Sequence, residues 1–246
     1  MQDAALPLWR PSAESVAASN MTAFSRLVHS RYCVEVGTYA ELHAWSVRHI
    51  GDFWTALWDY VQVVSQTRGE VAVDNESDMP GARFFPEARL NFAQNLLGQR
   101  DDADAVVFRG ETKVVRRLSR AQLYDEVSRF AKALAAAGVK PGDRVAAYLP
   151  NLPETVIAML ACASVGAVWT SCSPDFGPQG VIDRFGQVEP VVLIAADGYF
   201  GSGKRISSME AVESVAARLP SVRQIVIVSY ISDVCDMGRL ARAVHW

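Results

Sequence analysis

From residue 104 onward, apolar and polar positions run in two alternating rhythms. The stretch "AVVFRGETKVVRRL" alternates around a break at Gly110-Glu111 and predicts a β-hairpin. Glycine in the first turn position suits a type II′ turn. Ser119 and Gln122 then frame a capping box, followed by a helix with Leu123, Val127, Phe130 and Leu134 on one face and Gly138 at its close. "RVAAYLP" predicts a strand, and "PETVIAMLACASVG" a helix that begins at a proline, as first-turn prolines do. "AVWTSCS" predicts a strand, "PQGVIDRFGQV" a helix and "PVVLIAA" a strand that is apolar on both faces. "SSMEAVESVAARL", with a capping box from Ser207 to Glu210, predicts a helix, and "QIVIVSY" another strand. Strands of this kind alternating with helices define an α/β fold: βαβ units forming a parallel sheet with helices on both faces.

The first 95 residues follow a different pattern and read as a helical, aromatic-rich region, with no run long enough to predict a strand. Ser19 or Asn20 caps a helix to about Tyr32, and Thr38 with Glu41 caps the next. Phe53, Leu57, Trp58 and Val61 recur at helical spacing. Trp45, Trp54 and Trp58 are expected to bury a large area as core rather than as a ligand cage. Residues 65–90, with Gly69, "VDNESD" and Pro80-Gly81, read as a long connection. Two domains are therefore expected, at 1–95 and 96–246.

Composition narrows the classes. Half of the 246 residues are apolar and 21% are charged, with a formal net charge of −3. That balance suits a globular chain and argues against nucleic acid as a partner, which usually needs a strongly basic face. The local basic cluster of Arg109, Lys113, Arg116, Arg117 and Arg120 reads as a solvated face. Cys33, Cys162, Cys172 and Cys235 lack metal or disulfide spacing, and the four histidines are scattered, so no metal site is expected. The longest greasy stretch, residues 156–169, falls short of the roughly 20 residues that span a bilayer. No membrane partner and a cytoplasmic location follow as expectations.

"DGYFGSGKR", residues 197–205, carries the one phosphate-like signal. Counted from Gly198 it has the spacing G-x-x-x-x-G-K of a nucleotide cradle, yet Arg205 stands where a Mg²⁺-binding Ser or Thr is required. A cradle lysine also lies in the first turn of its helix, whereas the helix predicted here starts about three residues after Lys204. A P-loop NTPase is thus disfavoured. What survives is an anion-contacting loop, with Lys204 and Arg205 near a helix N-terminus, weighed against a plain surface turn. This loop and "SCSPDFG" both follow predicted strands, where open parallel sheets bind ligands.

The stretch from Gly138 to Phe185, with its Pro-Asn-x-Pro-Glu helix start at Pro150 to Glu154, resembles the adenylate-forming acyl-CoA synthetases. "RFFPEARLNFAQNLL" is similar to the N-terminal segment of the acetyl-CoA synthetase group. "SPDFG" at Ser173 to Gly177 resembles the acetoacetyl-CoA synthetase group, where acetyl-CoA synthetases carry Phe-Gly-Gly-Phe. The resemblance covers residues 8–246 and implies an acid–thiol ligase that uses ATP, CoA and Mg²⁺. Acetoacetate would attack the α-phosphate of ATP, and the CoA thiol would then displace AMP from the acyl-adenylate. It further implies that Gly201, Ser202, Gly203, Lys204 and Arg205 meet the CoA phosphates. Ser173, Pro174, Asp175 and Phe176 would lie near CoA and the acyl site.

The family's Ser/Thr/Gly-rich phosphate loop, its Thr-Glu motif, its ribose-binding Asp and its C-terminal catalytic Lys have no counterpart in these 246 residues. No catalytic residue is therefore assigned. The expectation is the front part of an adenylate-forming domain, inactive as this chain alone. It would be a truncated product, a fragment, or half of a split protein whose other part is a separate partner. A non-catalytic CoA-binding or interaction module is the alternative. A sheet missing its remaining strands would also expose an edge prone to aggregation.

Overall fold

A computed structural model describes residues 8–111, 115–238 and 240–246. The chain divides into two compact units, residues 1–90 and 91–246.

The first unit holds α1 (Ala13–Ala17), α2 (Asn20–Tyr32), α3 (Tyr39–Arg48) and α4 (Ile50–Tyr60). Of the two candidate caps for α2 the structure selects Ser19, whose hydroxyl accepts the Thr22 N–H. Thr38 and Glu41 form both halves of their capping box on α3. Short α1, capped by Ser12, has no apolar periodicity to announce it. Phe24, Val28, Val36, Leu42, Trp45 and Ala56 make the buried core. Of the three tryptophans only Trp45 is fully inside. Trp54 is 38% exposed and meets Phe84 edge-on, because Phe53 and Leu57 take the core-facing stripe of α4. Trp58 lies half-buried with its ring 4.5 Å from Phe85. Residues 65–90 are not wholly a connection. They contain β1 (Val73–Asp74) and β2 (Arg83–Phe84), an antiparallel pair too short to leave a period-2 pattern.

The second unit begins with α5 (Phe92–Leu96), then β3 (Asp104–Arg109) and β4 (Val115–Ser119), which pair antiparallel. The tight turn expected at Gly110-Glu111 is replaced by a longer connection, since Arg109 pairs with Val115; residues 112–114 lie outside those described. Next come α6 (Arg120–Ala136), β5 (Arg144–Tyr148), α7 (Pro153–Ser164), β6 (Val168–Cys172), α8 (Pro178–Phe185) and β7 (Val192–Ala196). The chain continues through β8 (Gly198–Gly201), β9 (Lys204–Ser207), α9 (Met209–Ala217), β10 (Gln224–Val228) and β11 (Ala243–His245). The Ser119/Gln122 capping box of α6 forms as expected.

Five strands build one parallel sheet in the order β11-β10-β7-β5-β6, so the fold is the expected α/β class. Successive residues feed opposite cores. Val145, Ala147, Val192, Ile194, Val226 and Val228 pack with residues of α6 and α7. Ala146, Tyr148, Leu193, Ala195, Ile225 and Ile227 pack with residues of α8 and α9. Both faces of each central strand are dry, which is why the strands read as apolar runs rather than alternating ones. The sheet ends on β6 at one side and β11 at the other. Strand β11 is followed by Trp246, whose ring stacks on Phe130 at 4.1 Å.

Candidate functional site

All parallel strands of the sheet deliver their carboxyl ends to one rim, and both segments singled out from the sequence lie there. The first is a β-hairpin. Strands β8 and β9 pair antiparallel from Gly198↔Ser207 to Gly201↔Lys204, leaving a two-residue turn at Ser202 and Gly203. Both turn residues are left-handed, with φ of 52° and 74°, as a primed hairpin turn requires. Gly198 has no room for a side chain: a Cβ there would lie 2.3 Å from the Ile206 carbonyl oxygen and 2.4 Å from Ile231 Cδ1.

This geometry agrees with the sequence reading at one point and corrects it at another. Lys204 and Arg205 belong to β9 and do not sit in the first turn of a helix, so no P-loop exists here. The Ser207/Glu210 capping box does not form either. Ser207 is held in the hairpin ladder, Ser208 takes the N-cap position of α9 without a side-chain cap bond, and its Oγ is buried without a partner. Ser207 Oγ accepts only the N–H of Met209, the first residue of α9, at a long 3.4 Å, and the reciprocal Glu210 half of a capping box is absent.

Ser202, Gly203, Lys204 and Arg205 are exposed and Gly201 is half-buried. The Gly203 N–H donates to Glu111 Oε2 at 3.4 Å, and Arg205 Nη2 donates to Ser232 Oγ at 3.1 Å. Neither Lys204 nor Arg205 forms an ion pair among the described residues. The hairpin's apolar side rests on aromatics. Phe200 meets Tyr230 edge-on at 5.3 Å, and Tyr230 meets Phe108 at 6.2 Å.

The second segment follows β6. Ser173, Asp175 and Phe176 are exposed, while Pro174 is buried. Its conformation is tied to Tyr148, the last residue of β5. The Tyr148 hydroxyl lies 2.9 Å from the Pro174 carbonyl oxygen and 2.7 Å from that of Phe176, and donates its one proton between them. The Arg184 guanidinium lies 4.3 Å from the centre of the Phe176 ring. Burial pushes the Tyr148 phenol above its ordinary value, and the nearby Tyr199 and Asp175 add to the shift. Tyr148 thus stands between the two predicted groups, bonded to one and within electrostatic reach of Tyr199 in β8.

Sequence reasoning missed Tyr148, Asp197 and Ser232. Asp197 is 1% exposed and takes three backbone N–H groups on its carboxylate. A lone acid closing an all-apolar strand was the available signal. A cavity of about 330 Å³ beside the hairpin is lined by Asp197, Arg205, Ser207, Ser232, Cys235 and Asp236, among others.

The basic cluster at 109–120 is largely neutralised. Arg116 pairs with the buried Glu154 at 2.7 Å, Arg120 with Asp101 at 2.9 Å, and Arg117 with Asp104, while Lys113 lies outside the described residues. Cys162, Cys172 and Cys235 are buried and Cys33 is exposed, all as free thiols. Burial pushes the Cys162 thiol up to about 12, so it is inert near neutrality. Among the described residues no cluster of three His, Cys, Asp or Glu could hold a metal, and no helix is long and apolar enough to cross a membrane.

Residues 92–242, more than half of the chain, match the family described as AMP-binding enzyme, and the chain belongs to that family. Residues 39–96 match the family described as acetyl-coenzyme A synthetase N-terminus. Among named relatives, the chain is similar to the acetoacetyl-coenzyme A synthetase of Rhizobium meliloti (strain 1021), with 49% identity over 92% of this chain and 34% of that protein. The acetoacetyl-CoA synthetase of Xenopus tropicalis is 34% identical over 96% of this chain and 36% of its own length. The solved acetoacetyl-CoA synthetase from Streptomyces lividans superposes with a TM-score of 0.90 at 38% identity, covering 98% of this chain and 37% of that one. The chain therefore spans about a third of the length of these relatives.

Proposed function

We propose that these residues form the amino-terminal portion of an acetoacetate–CoA ligase, and that its β8–β9 hairpin and 173–176 loop face CoA. One observation carries the reading of the site: two exposed cations, Lys204 and Arg205, stand on a folded hairpin at the ligand-binding rim with no carboxylate partner among the described residues. Unpaired cations beside the N–H groups of a tight turn suit the phosphates of CoA. The names of the similar proteins supply the reaction. The acetoacetate carboxylate displaces pyrophosphate from ATP, and the CoA thiol then displaces AMP. In that scheme Gly201 to Arg205 hold the phosphate end of CoA, and Ser173 to Phe176 line the approach of its thiol end.

No residue of this chain is assigned to ATP or Mg²⁺. The 246 residues by themselves are expected to bind CoA without producing AMP, since the adenylating groups are assigned to chain that the relatives carry in addition. Cytoplasm is the proposed compartment, where free thiols stay reduced.

Calorimetric titration of the chain with CoA tests the site. Binding that falls roughly tenfold or more in a Lys204→Ala/Arg205→Ala variant is expected for two charge-assisted contacts. Unchanged affinity would remove the hairpin from the CoA site. For the substrate, the native polypeptide carrying these residues should be captured with an antibody against them and assayed for CoA-dependent AMP formation. Acetate preferred over acetoacetate would overturn the acyl assignment.

A further inference from the structure

Asp197 follows β7 directly and is almost wholly buried. Its Oδ1 accepts the N–H groups of Tyr230 at 2.8 Å and Ile231 at 3.0 Å, and its Oδ2 accepts that of Ser232 at 3.0 Å. Its own main chain is engaged too. The N–H donates to the Val228 carbonyl at 3.0 Å, and the carbonyl accepts from the Ser208 N–H at 2.9 Å. No side-chain cation reaches this carboxylate among the described residues, so three backbone dipoles offset its burial.

The same three residues govern the hairpin. Tyr230 presents its ring to Phe200 of β8 at 5.3 Å, and Ser232 accepts the Arg205 guanidinium on its Oγ at 3.1 Å. A continuous path therefore runs from the Asp197 carboxylate through the Ser232 main chain to the Ser232 hydroxyl and on to Arg205. A second path runs through the Tyr230 ring to the back of the hairpin. Arg205 is otherwise an exposed, flexible side chain, and a guanidinium held at one end loses less freedom when it meets a phosphate.

We propose that Asp197 is a positioning residue. It fixes residues 230–232, and through Ser232 it aims Arg205 at a phosphate-bearing ligand of the hairpin. The inference rests on the CoA reading above, and its test separates the two. Amide hydrogen exchange reads the anchor without ligand, while affinities for CoA and for pantetheine, which lacks phosphate, read the aim of Arg205.

In Asp197→Asn the amides of 230–232 should lose protection, and CoA affinity should fall about as far as in Arg205→Ala, roughly tenfold. Pantetheine affinity should stay unchanged. Ser232→Ala should cost about threefold in CoA affinity, with no additional loss when combined with Arg205→Ala. Lost amide protection with full CoA affinity would reduce Asp197 to a purely structural role and overturn the proposal. Independent, multiplying losses from Ser232→Ala and Arg205→Ala would do the same. Should Asp197→Asn fail to fold, the Ser232 pair decides alone. Equal binding of CoA and pantetheine by the unaltered chain would overturn the phosphate reading itself, and the aiming of Arg205 with it.

Discussion

The two rim segments are held by opposite chemistry. A buried carboxylate collects three N–H groups and fixes the loop under the β8–β9 hairpin. A buried hydroxyl shares one proton between two carbonyls and fixes the 173–176 loop. The first anchor is charged and the second neutral, so the penalty for disturbing them differs. Removing the charge leaves three amides facing a weaker acceptor, whereas removing the hydroxyl leaves two carbonyls short of one shared donor. The hairpin that carries Lys204 and Arg205 thus stands on the stiffer support, and the loop bearing Phe176 stands on the softer one.

That contrast can be broken experimentally. Asp197→Asn should lower unfolding stability by about 3 kcal/mol, as loss of a buried charge-assisted network does, and urea denaturation would register it. Tyr148→Phe should cost about 1 kcal/mol and loosen residues 173–177 in hydrogen exchange, leaving the hairpin unchanged. A larger loss in Tyr148→Phe than in Asp197→Asn would reverse the comparison.

The neutral anchor also carries a pH signature. The folded state holds the Tyr148 proton more tightly than the unfolded chain, whose phenol keeps its ordinary value of 10.0. Its stabilisation is therefore complete below that pH and declines as pH rises toward the higher folded value. Tyr148→Phe should show a flatter fall of stability above pH 10 than the unaltered chain. An equally steep fall would mean that other groups dominate there.

The smallest effect concerns caps. Ser119→Ala should cost about 1 kcal/mol, because its capping box on α6 is complete. Ser207→Ala should change stability by less than about 0.5 kcal/mol, because its Oγ makes only a long 3.4 Å contact with the Met209 N–H and the residue belongs to the hairpin strand. Equal losses from the two variants would restore the capping role to Ser207.

Much of this architecture was legible in advance. Residues 123, 127, 130 and 134 do share one buried face, and the runs at 144–148, 192–196 and 224–228 are strands buried on both sides. These elements are long, and their apolar period is set by the same burial that stabilises them. Short elements were not legible. α1, β1, β2 and β11 have from two to five residues each, too few for any period to stand out. Of the candidate site, the residue numbers at 173–176 and 201–205 could be read from spacing and resemblance. Their supports could not, since Tyr148 lies 26 residues from Pro174 and Asp197 lies 35 from Ser232.

The line between sequence and fold runs through "DGYFGSGKR". The order of residues by itself determined that glycines, a turn and two cations would follow an apolar strand. Only the tertiary structure decided that this turn closes a hairpin instead of opening a helix. Gly198 must pass against the Ile206 carbonyl and Ile231, and strand pairing then holds the Ser207 backbone in the hairpin, which leaves Ser208 at the N-cap position of α9. Local composition permits both outcomes. Steric closeness and hydrogen bonds from residues some thirty positions away choose between them.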